Sequence, residues 1–172
     1  GDGSWYSING NIDYQRTSRK NKQRMITFSY KINTQPQTSN SNTGYEDIHA
    51  KEEVDDLVKR LLLKNSQSDG KTNTMEQTFQ VDYTTPIGEL HTVEAGAKYI
   101  FRRNTSDNKL YEAAGGSDDY LYNEDRSSDY RHLNHILAAY LGYTLKYKDF
   151  TFKPGVRYEQ TVQRVKYIVG PG

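Results

Sequence analysis

The 172 residues contain no cysteine, so disulfides, thiolate chemistry and sulfur-ligated zinc are excluded from the outset. Proline is scarce, with four residues, and there is a single tryptophan. No apolar run approaches the roughly 20 residues of a membrane helix, which excludes a helical membrane protein. Strands that cross a bilayer escape that test, because every second residue is polar. Charge of one sign is also missing. The 23 basic residues face 22 acidic ones, so nothing in the charge suggests nucleic acid as a partner. Apolar residues are few as well, at 34%, with a mean hydropathy of −0.96. That share is below what a soluble globular core requires. The chain also lacks a phosphate loop, a dinucleotide fingerprint and a Gly-X-Ser-X-Gly nucleophile turn. No catalytic residue, metal site or cofactor is expected.

What the chain has is tyrosine, 15 of them, and long alternating segments. Tyrosine suits a boundary between apolar and wet surroundings, having an apolar ring and a polar tip. The clearest alternation is in residues 134–160, NHILAAYLGYTLKYKDFTFKPGVRYEQ. It reads as two strands joined at Lys148 and Asp149. Leu137, Ala139, Leu141, Tyr143, Leu145 and Tyr147 share one face of the first strand. Phe150, Phe152, Pro154, Val156 and Tyr158 share one face of the second. The opposite face carries Lys146, Arg157 and Glu159. A period of two with charge on one face implies an apolar medium on one side and water on the other.

The same pattern recurs upstream. Residues 5–16 alternate without interruption, so Asn9-Gly10 is read as part of a strand rather than as a hairpin turn. Residues 23–33, 74–84 and 90–103 give three more strands, and residues 163–169 begin a seventh or extend the sixth. The short connections are 17–22, 85–89 and 148–149. The long ones are 34–73 and 104–131, rich in Ser, Asn, Thr, Gly and Asp and without periodicity. Short and long alternate, which puts all the turns at one end of the sheet and all the long loops at the other. Within the first long connection, Val54, Leu57, Val58, Leu61 and Leu62 recur at helical spacing, predicting an amphipathic helix over 47–64. The expected fold is all-β: an antiparallel up-and-down meander of about six long strands, with that helix in a loop.

Three pieces carry a family resemblance: QTFQVDYTTPI at 77–87, VEAGAKYIFRR at 93–103, and HILAAYLGYTL with FKPGVRYEQT across 135–161. Together they resemble the β-barrel of TonB-dependent outer-membrane receptors of the Bacteroidetes type. The resemblance implies that the chain, residues 1–172, is one partial β-barrel domain from a larger wall in the bacterial outer membrane. It also implies a plug and a segment that engages a TonB-type energy transducer, neither of them within this sequence. The implied activity is uptake of a metal chelate, vitamin or glycan, and the implied surroundings are outer-membrane lipid.

Candidate functional residues are of two kinds. Asp13, Lys31, Asp82, Glu94, Lys98, Lys146, Arg157 and Glu159 fall on the polar face. They either line a solute path or pair across strands to hold register, the commoner use of such charges. Tyr111, Tyr120, Tyr122 and Tyr130 lie in the second long connection and are candidate ligand-stacking residues. The acids of residues 115–129 lack calcium-loop spacing and read as a solvated acidic loop. His132 and His135 lack a third ligand at suitable spacing. The competing reading is a soluble β-sandwich or small barrel that binds a carbohydrate or lipid, which would turn its apolar faces inward around a closed core. For the sheet alone in water, unpaired edges and an apolar face predict self-association into dimers or larger oligomers.

Overall fold

The computed structural model describes residues 1–44, 64–114 and 119–169. Among them every regular element is a strand: β1 Asp2–Trp5, β2 Ile8–Thr17, β3 Met25–Thr43, β4 Lys64–Ile87, β5 His91–Ala114, β6 Leu121–Tyr147, β7 Phe150–Phe152 and β8 Gly155–Val169. All belong to one antiparallel sheet in which β3, β4, β5 and β6 are successive neighbours. β1 and β2 lie end to end along β3, and β7 and β8 lie end to end along β6. The expected six-position meander is therefore present, with both outermost positions broken in two.

Both breaks occur at proline. Tyr6 donates its N–H to the Pro36 carbonyl at 3.3 Å, but Pro36 has no N–H to return, and pairing lapses between Trp5 and Ile8. Likewise Tyr143 donates to the Pro154 carbonyl at 3.0 Å, and Pro154 separates β7 from β8. Asn9 and Gly10 lie within β2, as the unbroken alternation requires.

The short connections are tight. Residues 18–24 close on hydrogen bonds from Ser18 N to Arg24 O (2.9 Å) and from Arg24 N to Asn21 O (3.0 Å). The turn at 88–90 uses Gly88 at φ 70°, a conformation glycine adopts without penalty. The turn at Lys148 and Asp149 places Lys148 at φ 50°.

The long connections differ from expectation. Residues 34–43, 65–73, 104–114 and 121–131, expected as loop, instead continue the strands, so that β4 and β5 have 24 residues each and β6 has 27. Register runs unbroken from Met25↔Thr84 to Thr43↔Ser66, and from Ile87↔His91 to Lys64↔Ala114. These segments are polar on both faces, so they carry no period-two signal. Their Thr, Ser and Asn side chains satisfy the pleat without an apolar medium on either side. The helix expected over 47–64 falls on residues outside the described ones, except that Lys64 opens β4 instead of closing a helix.

The register sorts the side chains into two faces. Rows such as Tyr14–Phe28–Val81–Ala97–Ala139–Tyr158 and Ile26–Tyr83–Ala95–Leu141–Val156 cross the sheet on one face. The row Asp13–Ser29–Gln80–Lys98–Ala138–Glu159 crosses it on the other. Among the described residues, the only buried apolar side chains are Pro86, Ala113 and Ala138, while Leu141 is 52% and Val156 67% exposed. Among the described residues no second layer covers the apolar face. A sandwich would bury that face, whereas a barrel wall leaves it for lipid. From the His91 row to the Phe101 row the band is about 25 Å tall at ordinary strand rise and tilt, the height of a bilayer-facing girdle. Every backbone N–H and C=O inside that band must be paired within the sheet, because lipid offers no partner.

Candidate functional site

The outward face is built from aromatic contacts. Tyr30 and Phe79 approach with centroids 4.8 Å apart, Phe79 and Tyr99 at 6.4 Å, and Tyr99 and His135 at 6.2 Å, forming a ladder across four strands. The polar tips at the band edges are satisfied locally: Tyr99 Oη with His135 Nδ1 at 2.8 Å, and Tyr143 Oη with His91 Nδ1. His135 is thus committed to the outward face and cannot join His132, which lies on the inner one. No group of three or more possible metal ligands occurs among the described residues.

The inner face has a polar belt near the end of the band away from the short turns. Its centre is the ion pair of Glu76 and Arg102, which stand directly opposite each other on β4 and β5. Arg102 donates from Nε to Glu76 Oε2 at 2.8 Å and adds a second bond from the guanidinium end. Asn33 and Asn134 continue the same row on β3 and β6, and Asn104 and His132 pair in the next row out. Among the described residues, Asn33 Oδ1, Asn104 Oδ1, Asn134 Oδ1 and His132 Nε2 are buried without a hydrogen-bond partner. Asn134 is only 9% exposed. Unsatisfied buried polar groups cost about 1–3 kcal/mol each, so this patch of four is a candidate place for water or a hydrogen-bonding solute. Sequence reading missed this belt. Its residues are ordinary polar ones on four separate strands, and only the register brings them together.

The charges expected on the polar face are found there, but their pairing differs from expectation. Arg157 and Glu159 pair along β8 at 2.7 Å rather than across the sheet. Asp82 accepts a hydrogen bond from Tyr140 Oη, two strands away. Gly96 lies between them, and the Tyr140 ring occupies the space a side chain would fill. Glu94 and Lys98 have no ion pair with each other.

The four candidate tyrosines do not form one site, and three of them are on strands rather than in a loop. Tyr111 and Tyr122 are cross-strand partners with centroids 5.6 Å apart, on the outward-facing side beyond the band. Tyr120 immediately precedes β6 and is exposed. Tyr130 is on the inner face, 6.2 Å from Tyr167 of β8.

Beyond the band, the β5–β6 hairpin is held by a polar cluster. The register shifts between Asn108 and Leu110, and residues 124–127 of β6 bow out of the ladder. Ser127, 2% exposed, donates to the Asn123 carbonyl at 2.6 Å and accepts the Leu110 N–H at 3.0 Å. Glu112 accepts from Asn123 Nδ2 at 2.7 Å, pairs with Arg126, and has Lys64 at 3.5 Å. The Asn123 hydrogen bond, followed by Arg126 and Lys64, holds the Glu112 carboxyl below its ordinary range despite partial burial.

The sequence profile of the Outer membrane protein beta-barrel family matches residues 16–169. The chain belongs to that family. Its location is the bacterial outer membrane, and the outer-membrane β-barrel expected from the three strand motifs is the family matched. Among solved structures, the fold is similar to that of the ferric citrate transporter FecA in its unliganded form. The TM-score is 0.51 at 14% identity, over 95% of this chain and 22% of that one. The chain thus spans about a fifth of the length of the structure it matches. No curated protein sequence matches the chain.

Proposed function

We propose that this chain is a wall segment of an outer-membrane uptake receptor of the TonB-dependent kind. Its inner face guides a polar nutrient, a metal chelate, vitamin or glycan, from the outer surface towards the periplasm. The observation that carries this reading is the inner belt of Asn33, Asn104, His132 and Asn134 around the Glu76–Arg102 pair. Three amide oxygens and the His132 Nε2 nitrogen there are unpartnered, and the charges of the Glu76–Arg102 pair cancel. A solute with hydroxyl or amine groups that turns these side chains towards it gains hydrogen bonds there without meeting a fixed net charge. Tyr130 and Tyr167, a few residues further out on the same face, supply rings for stacking. Tyr111 and Tyr122 face the other way and take no part. Binding of a TonB-type energy transducer would fall to segments outside this chain. No catalytic step is assigned.

The reading supports a direct test in cells. Loss of the gene is expected to abolish growth on one member of a panel of sole iron, vitamin or glycan sources. On that source, Asn134→Leu with His132→Leu in the intact receptor is expected to slow uptake about thirtyfold, if each of the two lost hydrogen bonds is worth ~1 kcal/mol. Surface levels should be unchanged. Normal uptake by the double variant would overturn the role of the belt, and normal growth of the deletion strain on every source would overturn uptake itself.

A further inference from the structure

We propose that Arg103, Arg131, Arg164 and Lys166 form a binding site on the outward face for the phosphate groups of an outer-leaflet lipid headgroup. The last apolar row of the band runs Ile32–Gln77–Phe101–His135–Val162. The next two rows out on that face are Thr34–Met75–Arg103–Leu133–Arg164 and Pro36–Asn73–Thr105–Arg131–Lys166. Four cations stand on three adjacent strands, with no acid in either row. Arg131 and Lys166 are direct cross-strand partners, and Arg103 and Arg164 flank Arg131 on the diagonals.

These cations are free. Arg131, Arg164 and Lys166 are exposed and have no ion pair among the described residues. Arg103 is half-buried and reaches only the Met75 sulfur, at 3.9 Å. The nearest acids on this face, Asp107 and Asp129, belong to the row beyond, and Asp107 has Lys109 at 3.8 Å. Like charges placed directly opposite each other destabilise a sheet; Asp107 and Asp129 offset this from the outer side only, at the diagonal spacing of Arg103, and an anion on the side nearer the band would bridge the remaining cations. Arg102, the immediate neighbour of Arg103, shows the contrast. It faces inward, and the sheet supplies Glu76 to clamp it.

Position and chemistry select the occupant. The end of the sheet with long connections is the outer end in barrels of this class. Two and four residues beyond the band correspond to about 5 and 10 Å of height, the depth of the headgroup layer outside the hydrocarbon core. Three of the four side chains are arginine, whose planar fork takes phosphate oxygens in pairs. The cluster is continuous with the apolar band below it. An occupant with acyl chains on Phe101, Leu133 and Val162 therefore carries its phosphates to the guanidinium groups.

The test uses the intact receptor in detergent, titrated by native mass spectrometry with bisphosphorylated lipid A and with the same lipid stripped of phosphate. The wild-type protein is expected to bind the phosphorylated lipid at least about tenfold more tightly, given the typical contribution of each surface cation. The triple variant R131Q/R164Q/K166Q is expected to lose that preference, and millimolar inorganic phosphate to leave the lipid in place. Equal binding of the two lipids by the wild-type protein would overturn the proposal, whether or not the triple variant folds. So would an undiminished preference in a folded triple variant, or displacement by inorganic phosphate, which would make the site one for free anions.

Discussion

Single side chains in this sheet matter chiefly through what stands opposite them. Gly96 is the clearest instance. It lies between Asp82 and Tyr140 in one row, and an added Cβ would run into the Tyr140 ring and the Asp82 carboxylate. Gly142, one row away on the same face, has nothing nearer than 3.8 Å to such a Cβ. Gly96→Ala is therefore expected to break the Tyr140–Asp82 hydrogen bond and to cost about 1–3 kcal/mol, the range for overpacking. Gly142→Ala should be near neutral. Urea unfolding of the receptor refolded into liposomes measures both. An equal effect at the two glycines would show that the slot beneath Tyr140 plays no part. Alternation identified Gly96 as an inner-face residue, but its role was not legible, because Tyr140 is 44 positions away and only register makes it a neighbour.

At the level of strands, alternation was a dependable guide inside the band and failed outside it. Residues 77–87 and 91–101 announce themselves because lipid demands apolar residues at every second position. Residues 64–74 and 104–114 have water on both faces, so Thr, Asn, Ser and Lys serve equally well on either side and the sequence looks like loop. What keeps these extensions paired is hydrogen bonding and local ionic contact rather than burial. The Glu112 cluster is the strongest such contact at the β5–β6 end. Its carboxyl is ionised in the folded hairpin down to a pH below the usual glutamate range. The sign follows from linkage: a depressed folded pKa contributes stability above the unfolded value of 4.5 and loses it as pH falls through the folded value. Hydrogen exchange at the Leu110 amide, which donates to Ser127 beside this cluster, is the readout. After correction for intrinsic rates, its protection should be flat at neutral pH and fall as the pH drops below the unfolded value of 4.5 towards the lowered value of the folded carboxyl. Glu112→Gln should lower protection at neutral pH and remove the acid dependence. Protection unchanged down to pH 2 would mean that the hairpin end is held by its backbone ladder alone.

For the molecule as a whole, the deciding feature is an apolar face that none of the described residues covers. Twenty-four-residue strands such as β4 span about 80 Å at normal rise, more than twice the length of a strand that just crosses the membrane, so the sheet has to stand far out of the bilayer at one end. The short turns fix which end that is, and the cation rows beside the last apolar row mark where the lipid stops. This geometry makes accessibility alternate within the band and cease to alternate beyond it. The chain has no cysteine, so single replacements can map it cleanly on a cysteine-free receptor. Cysteines at Leu137, Ala139 and Leu141 are expected to react with a membrane-partitioning thiol reagent and to resist a charged one. Cysteines at Ala138 and Gly142 should react with a small charged reagent entering from the polar side, or stay unmodified where Tyr140 shields them. Beyond the band, cysteines at Lys71 and Thr72 on opposite faces of β4 and at Tyr122 on β6 should react with the charged reagent in intact cells, so that the two faces no longer differ in kind. If labelling at 137–142 followed no period of two, the apolar rows would not be lipid-facing, and a sheet whose faces are covered by further protein would replace the barrel wall.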